Sequence, residues 1–255
     1  VDAVLERHGF WIALGGLVLL LVIFFHPVFF GGQGFLPPDS ISSMAHRPYL
    51  EEAFHGEGSL LERYPLWTPY IFSGMPSFGS LIAAPYTNPM SLLLSPISGV
   101  FKVICYYLLL GLFSWLFLRR QGLGTLVALV GAAAYIFCAH LITMIMFGHN
   151  SKIATLVFLP LVLLATQMIW ERISIRWTAI LAASIGTMLV TSHLQISYYT
   201  MLAAGLYLVV ATVMSLREGW KVPVVAGRWV VWAGGFLLGL AASAVVFLPV
   251  HEYAA

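Results

Sequence analysis

Seven apolar stretches divide this chain, most of them near the roughly 20 residues that cross a bilayer's hydrocarbon layer. They run Phe10–Phe30, Val100–Leu118, Leu123–Phe147, Ile153–Trp170, Trp177–Ser192, Ser197–Leu216 and Trp229–Pro249. The third is long enough to tilt or to carry a short re-entrant end near His140, and the fifth is short. Backbone groups in lipid must be satisfied within the protein, and runs this long without alternation are helices rather than barrel strands. The expected fold is therefore all-α: a polytopic transmembrane helical bundle of about seven spans. Residues 1–255 form a single membrane domain, with 10–30 as first span, 31–98 as a long structured extracytoplasmic loop, and 100–249 as six further spans.

Composition agrees. The chain is 60% hydrophobic and 9% charged, whereas globular domains carry about 25% charged residues. A net charge of +2 with no basic run gives no footprint for nucleic acid. Cys105 and Cys138 lie inside apolar runs without CxxC spacing and read as buried hydrophobic thiols. Phe10–Phe30 is too long for a signal-peptide core and no small-x-small site follows it, so it reads as a retained anchor. The chain opens on Val1 and stops just after His251-Glu252, which reads as the front part of a longer protein.

Arginine and lysine assign the sides. Arg7, Arg119, Arg120, Arg172, Arg176, Arg217, Lys221 and Arg228 all fall at one set of helix ends, which becomes the cytoplasmic side. The N-terminus is then inside, and the 31–98 loop is periplasmic or extracellular. Of the eight histidines, only His8 is on the arginine side; His26, His46, His55, His140, His149, His193 and His251 gather at the other, with Lys152, Gln195 and Glu252. Polar groups at helix ends on one face point to a site opening outward.

The 31–98 loop holds nine of the 13 prolines, nine aromatic residues and half of the acidic groups. Pro37 and Pro38 stiffen the approach to Asp39. Asp39 or Ser40 reads as the N-cap of a helix starting at Ile41, and Asp39 reads also as a catalytic carboxylate; the two are compatible. Ile41, Met44, Ala45, Leu50, Ala53 and Phe54 fit one face of an interfacial helix interrupted at Pro48. Glu51, Glu52 and Glu57 read as a solvated face. Between Tyr64 and Pro76, prolines and glycines exclude long helix, while Trp67 and Tyr70 suit the headgroup zone or the face of a sugar ring. Tyr86-Thr87-Asn88-Pro89 turns the chain back toward the second span.

Three strings carry a resemblance. Pro65-Leu66-Trp67-Thr68-Pro69-Tyr70-Ile71-Phe72-Ser73-Gly74-Met75-Pro76 resembles the signature of the YfhO family of bacterial polytopic membrane proteins. So do Gly148-His149-Asn150-Ser151-Lys152, followed by Phe158-Leu159-Pro160-Leu161, and His193-Leu194-Gln195-Ile196-Ser197-Tyr198-Tyr199. That family is placed with the GT-C superfamily of membrane glycosyltransferases. The resemblance implies a GT-C-like core in a bacterial inner membrane, a lipid-linked phosphosugar as donor, transfer at the outer face, and an essential carboxylate in the first loop. Only Asp39 stands in that place. It is followed by Ser40 and forms no Asp-x-Asp pair, so a divalent metal has no support from the motif and the cofactor stays open.

Transfer from a polyprenyl phosphate needs a base for the acceptor's proton and cations for the departing phosphate. Asp39 is the candidate base. Lys152 and His149, at a helix start, are candidates for the phosphate; Lys152 reads equally as a lysine snorkelling to lipid headgroups. His193 and Gln195 are candidates for sugar hydroxyls or, more plainly, for interhelical hydrogen bonds. No HxH or HxxxH spacing predicts a metal site, and single axial histidine ligation of a pigment or haem leaves no pattern to read. Span centres hold only Thr, Ser and Gly, which argues against a transporter with ionisable groups at mid-membrane. The competing function is a non-catalytic subunit or scaffold of a larger membrane complex, with partner membrane subunits and possibly pigment or cofactor proteins beside it.

Overall fold

The computed structural model describes residues 7–35, 67–68, 74–76, 88–97, 99–191, 193–246, 248 and 252. Among them the chain is helical apart from one two-residue strand pair. In order, the elements are α1 (Gly9–Phe24), α2 (His26–Phe30), β1 (Trp67–Thr68), β2 (Met75–Pro76), α3 (Pro89–Leu93) and α4 (Gly99–Arg120). They continue with α5 (Thr125–Ile136), α6 (Ala139–Phe147), α7 (Asn150–Leu156), α8 (Leu159–Glu171), α9 (Ile175–Val190), α10 (Leu194–Arg217) and α11 (Val222–Ala242).

Each apolar stretch is helical, but not each is one unbroken rod. Among the described residues four helical stretches are long and apolar enough to cross a membrane: Gly99–Arg120, Asn150–Glu171, Leu194–Arg217 and Val222–Ala242. The α5–α6 pair, bent by 41°, makes a fifth when taken as one span. α1 and α9 are shorter apolar helices of 16 residues each. The breaks have local causes in two places. Pro27 has no N–H to continue α1, so the chain corners at Phe25 and restarts as α2. Pro160 similarly opens α8 after a loosened turn at Val157 and Phe158. The third break, at Phe137 and Cys138, has neither proline nor glycine; it realises the irregularity expected near His140.

α7 and α8 form the centre. The Asn150–Glu171 window is 72% buried, against 22% for α10 and for α11. α4, α9, α10 and α11 all pack on this pair, and α1 and α5 pack on α4. α9 and α11 make the most extensive contact, and glycines set its closeness. A Cβ at Gly239 would lie 2.8 Å from the Ala182 carbonyl oxygen, and one at Gly235 would lie 3.2 Å from that of Thr178. Small residues of this kind let backbones approach where lipid gives no hydrophobic drive between helices.

The arginine-bearing ends are tied by polar bonds. Gln121 donates to Gln167 at 2.7 Å, Gln167 donates to Glu171 at 2.9 Å, and Arg120 pairs with Glu171. Trp170 Nε1 donates to Ser215 Oγ at 3.1 Å and Trp232 Nε1 to Thr166 Oγ1 at 3.0 Å. The last helix corrects the sequence-based boundary: it starts at Val222, not Trp229, and ends at Ala242. Arg228 was read as a loop residue, yet it sits inside α11. Its Nη1 donates to the Ile169 carbonyl at 3.0 Å and its guanidinium lies 5.7 Å from the Trp220 ring centre, while its Nε is buried without a hydrogen-bond partner.

Candidate site at the histidine end

The opposite helix ends carry the candidate residues. Gly148 closes α6 in the left-handed conformation, φ +83°, where a side chain is strained. Its N–H bonds the Ile145 carbonyl, and the His149 N–H bonds that of Met144 at 2.9 Å. The chain thereby reverses within one residue and His149 becomes the N-cap position of α7. The Lys152 N–H bonds the His149 carbonyl at 3.0 Å, so the two side chains leave the same turn. Both are half-buried.

His193 arrives from another part of the chain, between α9 and α10. It caps α10: its Nδ1 accepts the Ile196 N–H at 3.4 Å. That bond requires a neutral ring with Nδ1 unprotonated. Burial is the main cause holding the His193 pKa below its ordinary value; the Lys152 charge and then His149 add to it, partly offset by bonding to its own backbone. α7, which begins just after His149, packs on both α9 and α10, whose junction is His193. Gln195 is exposed, and its Nε2 donates to Tyr199 Oη at 3.3 Å, one turn along α10.

Asn88 was read only as part of a turn, and it does more. Its Oδ1 accepts the N–H groups of Met90 (3.0 Å) and Ser91 (3.3 Å), capping α3. Its Nδ2 donates to Thr191 Oγ1 at 3.4 Å, and Thr191 Oγ1 in turn bonds the Thr187 carbonyl at 2.6 Å. The exit of the long polar segment is thus joined to the end of α9, two residues before His193. The signal was present: Asn followed by Pro is the N-cap and N1 pattern.

The remaining candidates fall differently. Asp39 and Tyr70 lie outside the described residues, as do His46, His55, His251 and the stretch read as an interfacial helix. Trp67 is described in its backbone alone, where it pairs antiparallel with Pro76 while Thr68 pairs with Met75. Gly74, at φ +109°, stands directly before β2. Among the described residues no group of three or more His, Cys, Asp or Glu comes together as a metal site.

What this arrangement can do chemically is limited and specific. One ammonium and two imidazoles are carried by neighbouring helix termini, the start of α7 and the α9–α10 junction, and the capping role of His193 keeps its ring neutral. Such a group attracts an anion and offers a neutral imidazole nearby. Comparison with protein-family models, curated proteins and solved structures finds no match to this chain.

Proposed function

We propose that the protein is a GT-C-like glycosyltransferase of a bacterial inner membrane, with about seven spans and its N-terminus in the cytoplasm. It moves a sugar from a polyprenyl-phosphate donor at the outer face. The observation that supports this reading is that the turn bearing His149 and Lys152 opens α7 where it packs on α9 and α10, the helices that flank His193, at the ends opposite the arginines. In the reaction, an acceptor hydroxyl attacks the anomeric carbon and gives its proton to Asp39. The bond from that carbon to the phosphate oxygen breaks, and the electron pair leaves on polyprenyl phosphate beside Lys152 and His149.

The test is transfer of labelled hexose from polyprenyl phosphate by the protein in proteoliposomes. Asp39→Asn is expected to slow transfer by about 10²–10⁴, the usual contribution of a general base, and Lys152→Gln to slow it comparably. Full activity in Asp39→Asn would remove that residue from the chemistry.

One observation favours a second reading. α10 and α11 are only 22% buried and present long apolar faces, including Leu202, Leu206 and Val213 on α10 and Leu237 and Leu238 on α11. A non-catalytic subunit docking to partner membrane proteins would have such faces. Absence of transfer together with stoichiometric co-purification of membrane partners would favour it over the enzyme.

A further inference from the structure

Two helices break at the same level. Phe24, beside the α1–α2 corner, packs against Phe137, at the α5–α6 break, with ring centres 4.9 Å apart. Beyond these breaks the short α2 and α6 leave a cavity of about 450 Å³ between them. Phe24, Phe25 and Val28 line one wall and Ile142, Ile145 and Met146 the other, with Gln33 and Phe35 closing over it.

The wall and the rim differ in kind. Phe25 and Ile145 are 5% and 6% exposed, whereas Phe24 and Met146 are 45% and 66% exposed. Phe147 and Phe30, next to the rim in sequence, are also exposed. A buried apolar wall with an exposed apolar rim, on a bundle whose outer surface is apolar, describes a recess open sideways to lipid. Apolar walls hold water poorly, and leaving them bare forfeits the dispersion contacts of their lining atoms. Within a bilayer, hydrocarbon chains are the material at hand to fill it.

A headgroup partner lies close by. His149 follows Met146 by three residues, so their Cα atoms are at most about 11 Å apart, and Lys152 leaves the same turn as His149. We infer that this cavity binds one acyl chain of a phospholipid from the leaflet at the histidine end, its phosphate lying at the level of Lys152 and His149. The inference shares Lys152 and His149 with the transferase reading but needs only that the bundle sits in a bilayer, not that sugar is transferred.

The experiment reconstitutes the protein in nanodiscs of phosphatidylglycerol carrying a diazirine in the acyl chain, photolyses them and maps the labelled peptides. Label is expected to concentrate on Phe25, Ile142 and Ile145. Ile142→Trp, which fills the recess, lowers that label about tenfold by removing the chain's apolar contacts, and Met146→Trp at the exposed rim does the same without disturbing the core. Val130→Trp, on the exposed face of α5, leaves it unchanged. Label spread evenly over outward residues such as Val130, Leu206 and Leu237 would mean boundary lipid only and overturn the site. So would a recess labelled by a diazirine polyprenyl phosphate and not by the phospholipid. Neither result depends on whether sugar transfer is observed.

Discussion

The Asn88 amide donates to Thr191 Oγ1 across 3.4 Å, which joins the exit of the polar 31–98 segment to the helix that delivers His193. The same side chain caps α3 through two further bonds and is almost fully buried. Asn88→Ala is expected to destabilise the protein by about 1–2 kcal/mol, the range for a lost N-cap plus a buried hydrogen bond. Thr191→Val keeps the Asn88 cap and removes only the acceptor of its Nδ2, so it is expected to cost less. Thermal unfolding in detergent orders the two, and equal losses would show that the cap contributes nothing.

His193 supplies a pH dependence. Its folded pKa lies below the ordinary 6.5, first through burial and then through Lys152 and His149. The unfolded chain therefore takes up the proton first. The stabilisation is complete above the unfolded value and is lost as pH falls below it through the folded pKa. Protonation also removes the acceptor that caps α10. Lys152→Met takes away one of the lowering charges, so the His193 pKa should rise toward 6.5 in an NMR titration. An unchanged titration would mean that the two residues do not sense each other.

Glycine at position 239 is required by contact rather than by backbone conformation. A Cβ there would meet the Ala182 carbonyl at 2.8 Å and Ile185 Cβ at 2.9 Å, whereas one at Gly205 meets nothing within 4 Å. Gly239→Ala should cost about 1–3 kcal/mol by overpacking. Gly205→Ala should be neutral or stabilising by up to about 1 kcal/mol, from helix propensity. Similar unfolding midpoints for both variants would refute the close α9–α11 crossing.

Gln167 bridges Gln121 and Glu171 at the arginine end. Gln167→Leu should lower stability by about 0.5–1.5 kcal/mol, the net worth of a hydrogen bond, because its partners Gln121 and Glu171 are exposed and can turn to water. Gln121→Leu added to it should cost far less than it does alone. Additive losses in that double-mutant cycle would show that the bond carries no coupling.

Much of the helical layout was legible in the chain. Apolar runs of membrane length predicted where helices form, Pro27 and Pro160 mark two of the breaks, and Gly148 marks the end of α6. The start of α11 was not legible, because a charged residue reads as a boundary when its partners are unseen. Arg228 is accommodated by the Ile169 carbonyl and the Trp220 ring, both supplied by neighbouring parts of the fold. The kink at Phe137 and Cys138 likewise has no local cause. It lies beside the Tyr107 hydroxyl, which donates to the Leu141 carbonyl at 2.5 Å from another helix.

The candidate site divides the same way. His149 and Lys152 share a turn, so their association follows from spacing alone. His193 joins them only because α9 returns to the end of the bundle where α7 begins. By itself the sequence determined that these segments are apolar helices and which ends are rich in arginine, because length and local charge carry that information. Only the tertiary structure decided which helix faces meet, where the recess beside α6 opens and which ends lie side by side. In lipid every apolar face is equally at ease, so pairing depends on glycine contacts, interhelical hydrogen bonds and close packing, which hydropathy does not encode.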